Sequence, residues 1–120
     1  MKIIYVDFDG VLNSYQTKFD QAAPGELPDP PVPGAIEWLT KAVERFHVTI
    51  FTCRMLQPGT EAKIHNWLCQ HGMPNHAVDK LAFSCVKRGA EVYIDDRGWR
   101  FDGTFPDLDV LENIKPWNKQ

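Results

Sequence analysis

Apolar residues along the chain form short, nearly continuous runs that are typical of strands buried on both faces. Such strands lose the apolar–polar alternation of half-exposed sheets. Three runs rich in β-branched and aromatic residues predict strands at 2–8, 47–53 and 91–95. Residues 76–86 and 99–101 are compatible with further short strands.

A second pattern, with apolar residues at helical spacing, predicts helices at 34–46 and 60–71. Gly72 favours an end to the second helix, and residues 105–114 are compatible with a short final helix. Trp38 borders the apolar stripe of the first helix and is predicted to join the core. The other predicted core positions are Ala35, Ile36, Leu39, Ala42, Val43 and Phe46 in the first helix, and Ala62, Ile64, Trp67, Leu68 and Cys69 in the second.

Strands and helices therefore alternate along the chain, as they do in βαβ units. This alternation predicts an α/β fold: one Rossmann-like, three-layer domain over residues 1–120, with a mainly parallel sheet flanked by helices. Residues 14–33 interrupt the alternation, because five of the nine prolines lie there and exclude a helix or a central strand. Such a loop is either an arm near a functional site or a plain connector.

Composition narrows the class of protein. The chain has 120 residues, 43% of them hydrophobic, which suffices for one core. A net charge of -3 lacks the basic excess of proteins that bind bulk nucleic acid. With no long apolar run and no secretory signal, we expect a cytoplasmic protein that is not bound to a membrane, either a monomer or a dimer. The cysteines are expected to be reduced, because their number is odd and no CxxC occurs; they are Cys53, Cys69 and Cys85.

Polar residues gather where the three predicted strands end. They are Asp7 and Asp9 after the first strand, Thr52 and Arg54 after the second, and Asp95, Asp96 and Arg97 after the third. The carboxyl ends of parallel strands share one edge of the sheet, where ligands bind. Four carboxylates at one edge repel each other unless they bind a cation or take up a proton, and oxygen ligands favour Mg²⁺. A bound Mg²⁺ attracts an anion such as phosphate, and a carboxylate beside that anion can act as a nucleophile.

These motifs, in this order, resemble those of the haloacid dehalogenase-like phosphatase superfamily. The first family motif is a hydrophobic strand followed by DxDG, matched by residues 4–11, and the second is a strand ending in Thr or Ser, matched by residues 50–52. The fourth is a strand ending in paired acids, matched by residues 92–96, and the third is a lysine upstream of it. The tail 101–118 also resembles the ending of small uncharacterised members from phage and bacterial genomes.

The resemblance implies a Mg²⁺-dependent phosphomonoester hydrolase that acts through an aspartyl-phosphate intermediate. Asp7 would be the nucleophile and a metal ligand. Asp9 would be the general acid and base and, through its backbone carbonyl, a second metal ligand. Thr52 would donate a hydrogen bond to a phosphoryl oxygen. Asp95 would also bind the metal, with Asp96 either a further ligand or a partner behind the ligands.

Two lysines are candidates for the third motif, Lys87 and Lys80, and Lys87 better fits the expected position. Gly10 is expected to allow the turn and a close backbone approach to phosphate. Arg54 and Arg97 could each bind a second anionic group of the substrate, or could pair with a neighbouring site aspartate.

Too few residues separate the motifs to form a cap domain, so the resemblance is to the capless type with an open site. The expected partner is a phosphorylated small molecule or the phosphorylated end of a polymer, such as a nucleotide, a sugar phosphate or a nucleic-acid end. The alternative is a non-catalytic module that binds or accepts a phosphoryl group, as receiver domains do. Asp9 favours the enzyme, because receiver domains lack a general acid two residues after the acceptor.

Overall fold

The computed structural model describes residues 1–17, 21–23 and 25–117. Within these residues the chain forms strands and helices that alternate in its first two-thirds. The strands are β1 (Ile3–Asp7), β2 (His47–Phe51), β3 (Ala82–Ser84) and β4 (Val92–Ile94). The helices are α1 (Ala35–Arg45), α2 (Thr60–Gln70), α3 (Asn75–Val78) and α4 (Leu108–Asn113), and a 3₁₀-helix spans Cys53–Leu56.

The strands form one four-stranded sheet in the order β3-β2-β1-β4, and each neighbouring pair is parallel. Tyr5 lies opposite Thr49 on one side and Tyr93 on the other. The predicted α/β fold with a parallel sheet is confirmed, and it is compatible with a Rossmann-like arrangement. All four strands therefore end at the same edge of the sheet.

The core lies between one face of the sheet and the helices. Alternation along β1 directs Ile4 and Val6 to this face, where they pack with residues of α1, α2 and α3. Phe8, fully buried after β1, meets Trp67 of α2 edge-on with ring centroids 5.2 Å apart. By contrast, α4 buries none of its residues.

Several predictions differ from the structure. Residues 99–101 form no strand, because the chain turns away from the sheet after β4, with the Arg97 N–H donating to Asp95 Oδ1. Trp38 is 42% exposed rather than buried, because it lies just outside the narrow face that α1 buries. Ala62 faces solvent, because at about 100° per residue it lies on the opposite side of α2 from the buried residues Ile64, Trp67 and Leu68. None of the helices in the described residues is long and apolar enough to cross a membrane.

In the described part of the 14–33 loop, hydrogen bonds hold the two ends in place. The Ser14 N–H donates to the Pro30 carbonyl, and the Asp29 carboxylate accepts hydrogen bonds from Thr17. The Trp67 indole N–H donates to the Asp29 carbonyl, which fastens the returning end of the loop to α2. Residues 18–20 and 24 of this predicted loop, and the tail residue Asn118, lie outside the described residues.

Candidate active site

Three carboxylates meet at the edge where the strands end. Asp7 is the last residue of β1, and Asp95 and Asp96 directly follow β4, the strand beside β1 in the sheet. One oxygen from each carboxylate lies within 4.8 Å of the other two. The arrangement follows from the parallel pairing of β1 and β4, which brings two stretches far apart in sequence to one point.

At neutral pH and with no cation bound, the raised pKa of Asp7 favours a proton on its carboxyl group. Burial, a hydrogen bond shared with Asp96 and the negative charge of Asp95 raise the pKa of Asp7 from 3.8 to about 8. The Phe8 N–H, which donates to Asp7 Oδ1 at 2.9 Å, acts in the opposite direction. A cation would replace that proton and relieve the same repulsion.

The turn after β1 brings the backbone close to Asp96. The N–H groups of Leu12 and Asn13 donate to the Phe8 carbonyl, and Gly10 has a φ of 85°. A Cβ atom on Gly10 would overlap the Asp96 carboxylate and lie 2.8 Å from its Cγ. Glycine is therefore needed at this position both for its backbone conformation and for the space it leaves to Asp96.

The Asp9 carboxylate is not one of the three grouped carboxylates, because it is held by two donors of its own. Arg54 Nε donates to Asp9 Oδ2 at 2.8 Å, and Asn13 Nδ2 donates to Oδ1 at 2.9 Å. The Arg54 side chain is 8% exposed and its guanidinium also lies over the Tyr15 ring. The structure thus places Arg54 in an ion pair with a neighbouring site aspartate, one of the two roles that the sequence left open.

Thr52 sits at the carboxyl end of β2 and begins the 3₁₀-helix. Its hydroxyl oxygen accepts a hydrogen bond from the Arg54 N–H, while its own N–H donates to the Ser84 carbonyl at the end of β3. The residue is buried. This bond uses a lone pair of the hydroxyl oxygen, so the hydroxyl can still donate its proton to a ligand oxygen.

The two candidate lysines lie at opposite ends of β3. Lys87 follows the strand and lines a cavity of about 50 Å³ together with Asp7 and Asp95. Lys80 precedes the strand, and its ammonium donates to Glu44 at 3.0 Å. Since ligands bind where parallel strands end, only Lys87 lies at the edge that carries the acidic group.

Of the remaining predicted residues, Arg97 is exposed and contributes its N–H to the turn after β4. Sequence analysis missed three residues that touch the site: Asn13, Tyr93 and Trp117. The Trp117 indole N–H donates to the Gly10 carbonyl at 2.8 Å, and Tyr93 lines the cavity beside Lys87. The Tyr93 contact could have been expected, because Tyr93 lies two residues before Asp95 on the same side of an extended strand.

The donor set fits a hard divalent cation. Three carboxylates at one sheet edge supply oxygen ligands only, and the negative charges of Asp95 and Asp96 add to the effect of burial in raising the pKa of Asp7. Mg²⁺ binds through one or two carboxylates and keeps several waters, so three neighbouring carboxylates are enough to hold it.

Comparison with known proteins gives no neighbour for this chain: no family model, no curated protein and no solved structure matches it.

Proposed function

We propose that this chain is a Mg²⁺-dependent phosphomonoesterase of the capless haloacid dehalogenase-like type. The observation that carries the proposal is the convergence of Asp7, Asp95 and Asp96 at one sheet edge, with carboxylate oxygens within 4.8 Å of one another. Lys87 and Thr52 border the same edge, so donors for an anion stand beside ligands for a cation. Asp7, Asp95 and Asp96 would hold Mg²⁺, which when bound offsets negative charge on the phosphoryl oxygens.

In the first half-reaction, an oxygen of the Asp7 carboxylate attacks the phosphorus atom. The bond between phosphorus and the ester oxygen breaks, and the leaving oxygen takes a proton from the Asp9 carboxyl group. The products of this step are the free alcohol and an aspartyl phosphate on Asp7. Lys87 and the Thr52 hydroxyl donate hydrogen bonds to the phosphoryl oxygens, where charge develops.

In the second half-reaction, a water molecule attacks the same phosphorus atom and gives its proton to the Asp9 carboxylate. The bond between phosphorus and the Asp7 oxygen breaks, which releases inorganic phosphate and restores both aspartates. The Arg54 and Asn13 contacts hold the Asp9 side chain in place two residues from the nucleophile.

An apolar groove supports a substrate with an aromatic or apolar leaving group. The groove has a volume of about 440 Å³, and two of its lining residues are chain neighbours of site residues, since Val11 follows Gly10 and Ile94 precedes Asp95. Its wall includes the half-exposed indole of Trp38. Among the candidate substrates, this wall favours a nucleotide over a sugar phosphate, because a base can stack on an indole.

The proposal is tested by phosphate release from p-nitrophenyl phosphate, with Mg²⁺ and with EDTA. We expect release by the wild-type protein that needs Mg²⁺ and is abolished in Asp7→Asn. Asp96→Asn serves as a matched change of the same size within the acidic group, and it should weaken Mg²⁺ binding without removing the nucleophile. Wild-type activity in Asp7→Asn would exclude the aspartyl-phosphate route.

Lys87→Ala and Lys80→Ala form a second matched pair. We expect Lys87→Ala to lower kcat/KM by about 10²-fold, as the loss of one oxyanion donor does, and Lys80→Ala to have no effect. A phosphoryl group trapped on Asp7 without turnover would instead favour the phospho-accepting module.

A further inference from the structure

Tyr93, in the middle of β4, touches the segment that carries Lys87 at two points. The Lys87 ammonium lies over the Tyr93 ring, with Nζ 4.4 Å from the ring centroid. The Tyr93 hydroxyl donates a hydrogen bond to the carbonyl of Arg88, the residue after Lys87. One side chain therefore holds both the charged end of Lys87 and the backbone beside it.

The Tyr93 ring is itself held by its neighbours in the sheet. Tyr5, opposite Tyr93 in the register of β1 and β4, meets it edge-on at 5.6 Å between centroids. Phe51 continues the row on the far side of Tyr5 at 6.4 Å. The ring thus belongs to an aromatic row across three strands, and its packing against Tyr5 restricts its movement.

The contact with Tyr93 matters because, among the described residues, Lys87 does not form an ion pair with the carboxylates near it. Lys87 shares a cavity with Asp7 and Asp95, yet in the part of the chain that the structure describes it makes no ion pair with either carboxylate within 4.0 Å. A lysine stem is long and flexible, and three carboxylates nearby attract its ammonium. The attraction of the ammonium to the face of the Tyr93 ring competes with its attraction to these carboxylates.

We infer that Tyr93 is a positioning residue for Lys87. It keeps the Lys87 ammonium beside the acidic group without an ion pair to it. In this position the ammonium can donate a hydrogen bond to an oxygen of a phosphoryl group. The positioning can be observed without any substrate, whereas its consequence for catalysis rests on the proposed function. The aromatic ring supplies the support for the charge, and the hydroxyl fixes the loop that carries it.

The first experiment observes the contact directly. Reductive ¹³C-methylation of the whole chain keeps each lysine charged, and Lys87→Arg and Lys80→Arg assign the two resonances. We expect the Lys87 methyl resonance upfield of that of Lys80, because it lies over an aromatic face. The shift should persist in Tyr93→Phe and disappear in Tyr93→Leu. A Lys87 resonance that coincides with that of Lys80 in the wild-type protein would overturn the inference, and this comparison needs no change at Tyr93.

The second experiment is a double-mutant cycle on kcat/KM for p-nitrophenyl phosphate. Tyr93→Leu should lower kcat/KM by about threefold to thirtyfold, the range of a cation–π contact, and Tyr93→Phe by less. In a Lys87→Met background, Tyr93→Leu should change kcat/KM by less than about twofold, since the group it positions is gone. An equal loss in both backgrounds would assign Tyr93 a merely structural role and overturn the inference.

The two experiments separate this inference from the proposed function. A shifted Lys87 resonance in a protein without phosphatase activity keeps the positioning role and removes the phosphatase. Activity together with an unshifted resonance keeps the phosphatase and removes the positioning role.

Discussion

Replacement of Gly10 by alanine tests whether the acidic group depends on a close approach of the backbone. Gly10 has a φ of 85°, and a new Cβ atom would lie 2.8 Å from Asp96 Cγ. Two separate effects follow from this geometry. The positive φ costs an alanine about 1–2 kcal/mol wherever it occurs. The contact with Asp96 adds a displacement of that carboxylate away from Asp7.

Gly34→Ala is the matched control, because Gly34 has the same φ of 85° and nothing within 4 Å of its Cβ position. We expect both variants to lose about 1–2 kcal/mol of unfolding free energy, which is a few degrees in Tm for a domain of this size. Only Gly10→Ala should also weaken Mg²⁺ binding. We expect a loss of about tenfold to a hundredfold, as when a ligand loses its correct orientation.

The assay is thermal unfolding of both variants over a series of Mg²⁺ concentrations, with EDTA as the zero point. The Mg²⁺ concentration that gives half of the maximal Tm increase should rise in Gly10→Ala and stay unchanged in Gly34→Ala. Equal half-saturation values in both variants would refute the argument, because backbone strain would then account for the whole effect.

Three further outcomes are expected. Because the raised pKa of Asp7 favours its protonated form in the folded state, the unfolding free energy in EDTA should fall as pH rises from 3.8 to about 8, and Asp7→Asn should flatten this dependence. Arg54→Met removes the 2.8 Å contact to Asp9 and should cost about 2 kcal/mol in urea unfolding, with wild-type stability counting against the ion pair. Trp67→Phe removes the bond to the Asp29 carbonyl and should speed proteolysis within 14–33, whereas an unchanged cleavage pattern would mean that the loop is fastened elsewhere.

The position of the acidic group was predictable from the sequence, because its residues lie where predicted strands end. A buried strand followed by a turn leaves its first polar residues at the sheet edge, so Asp7, Asp9, Asp95 and Asp96 could be assigned to one edge from the sequence. Three of these carboxylates do group there, whereas that of Asp9 is bound by Arg54 and Asn13. Which of the two candidate lysines lies at this edge became clear only once β3 was located, since Lys80 precedes and Lys87 follows this strand of three residues.

Contacts made by side chains across long sequence separations were not predictable. The Arg54 bond to Asp9 and the Trp117 bond to Gly10 join residues 45 and 107 positions apart. Hydrophobic periodicity indicates which face of a helix or strand a residue occupies, but it does not predict which hydrogen-bond donor from a distant part of the chain will reach that residue. The exposed Trp38 was missed for a related reason: a residue at the border of an apolar stripe is buried only if a neighbouring element covers it.

The strand order has a consequence for local unfolding. β4 lies at an edge of the sheet and is joined to β1 through only three paired residues, yet it carries two of the three grouped carboxylates. Short edge strands open at a smaller free energy than the whole domain. A cation held by carboxylates from both strands would fasten this edge to the centre of the sheet, so β4 amides would exchange with solvent more slowly. β3, an equally short strand at the opposite edge, carries none of the three and would exchange as before.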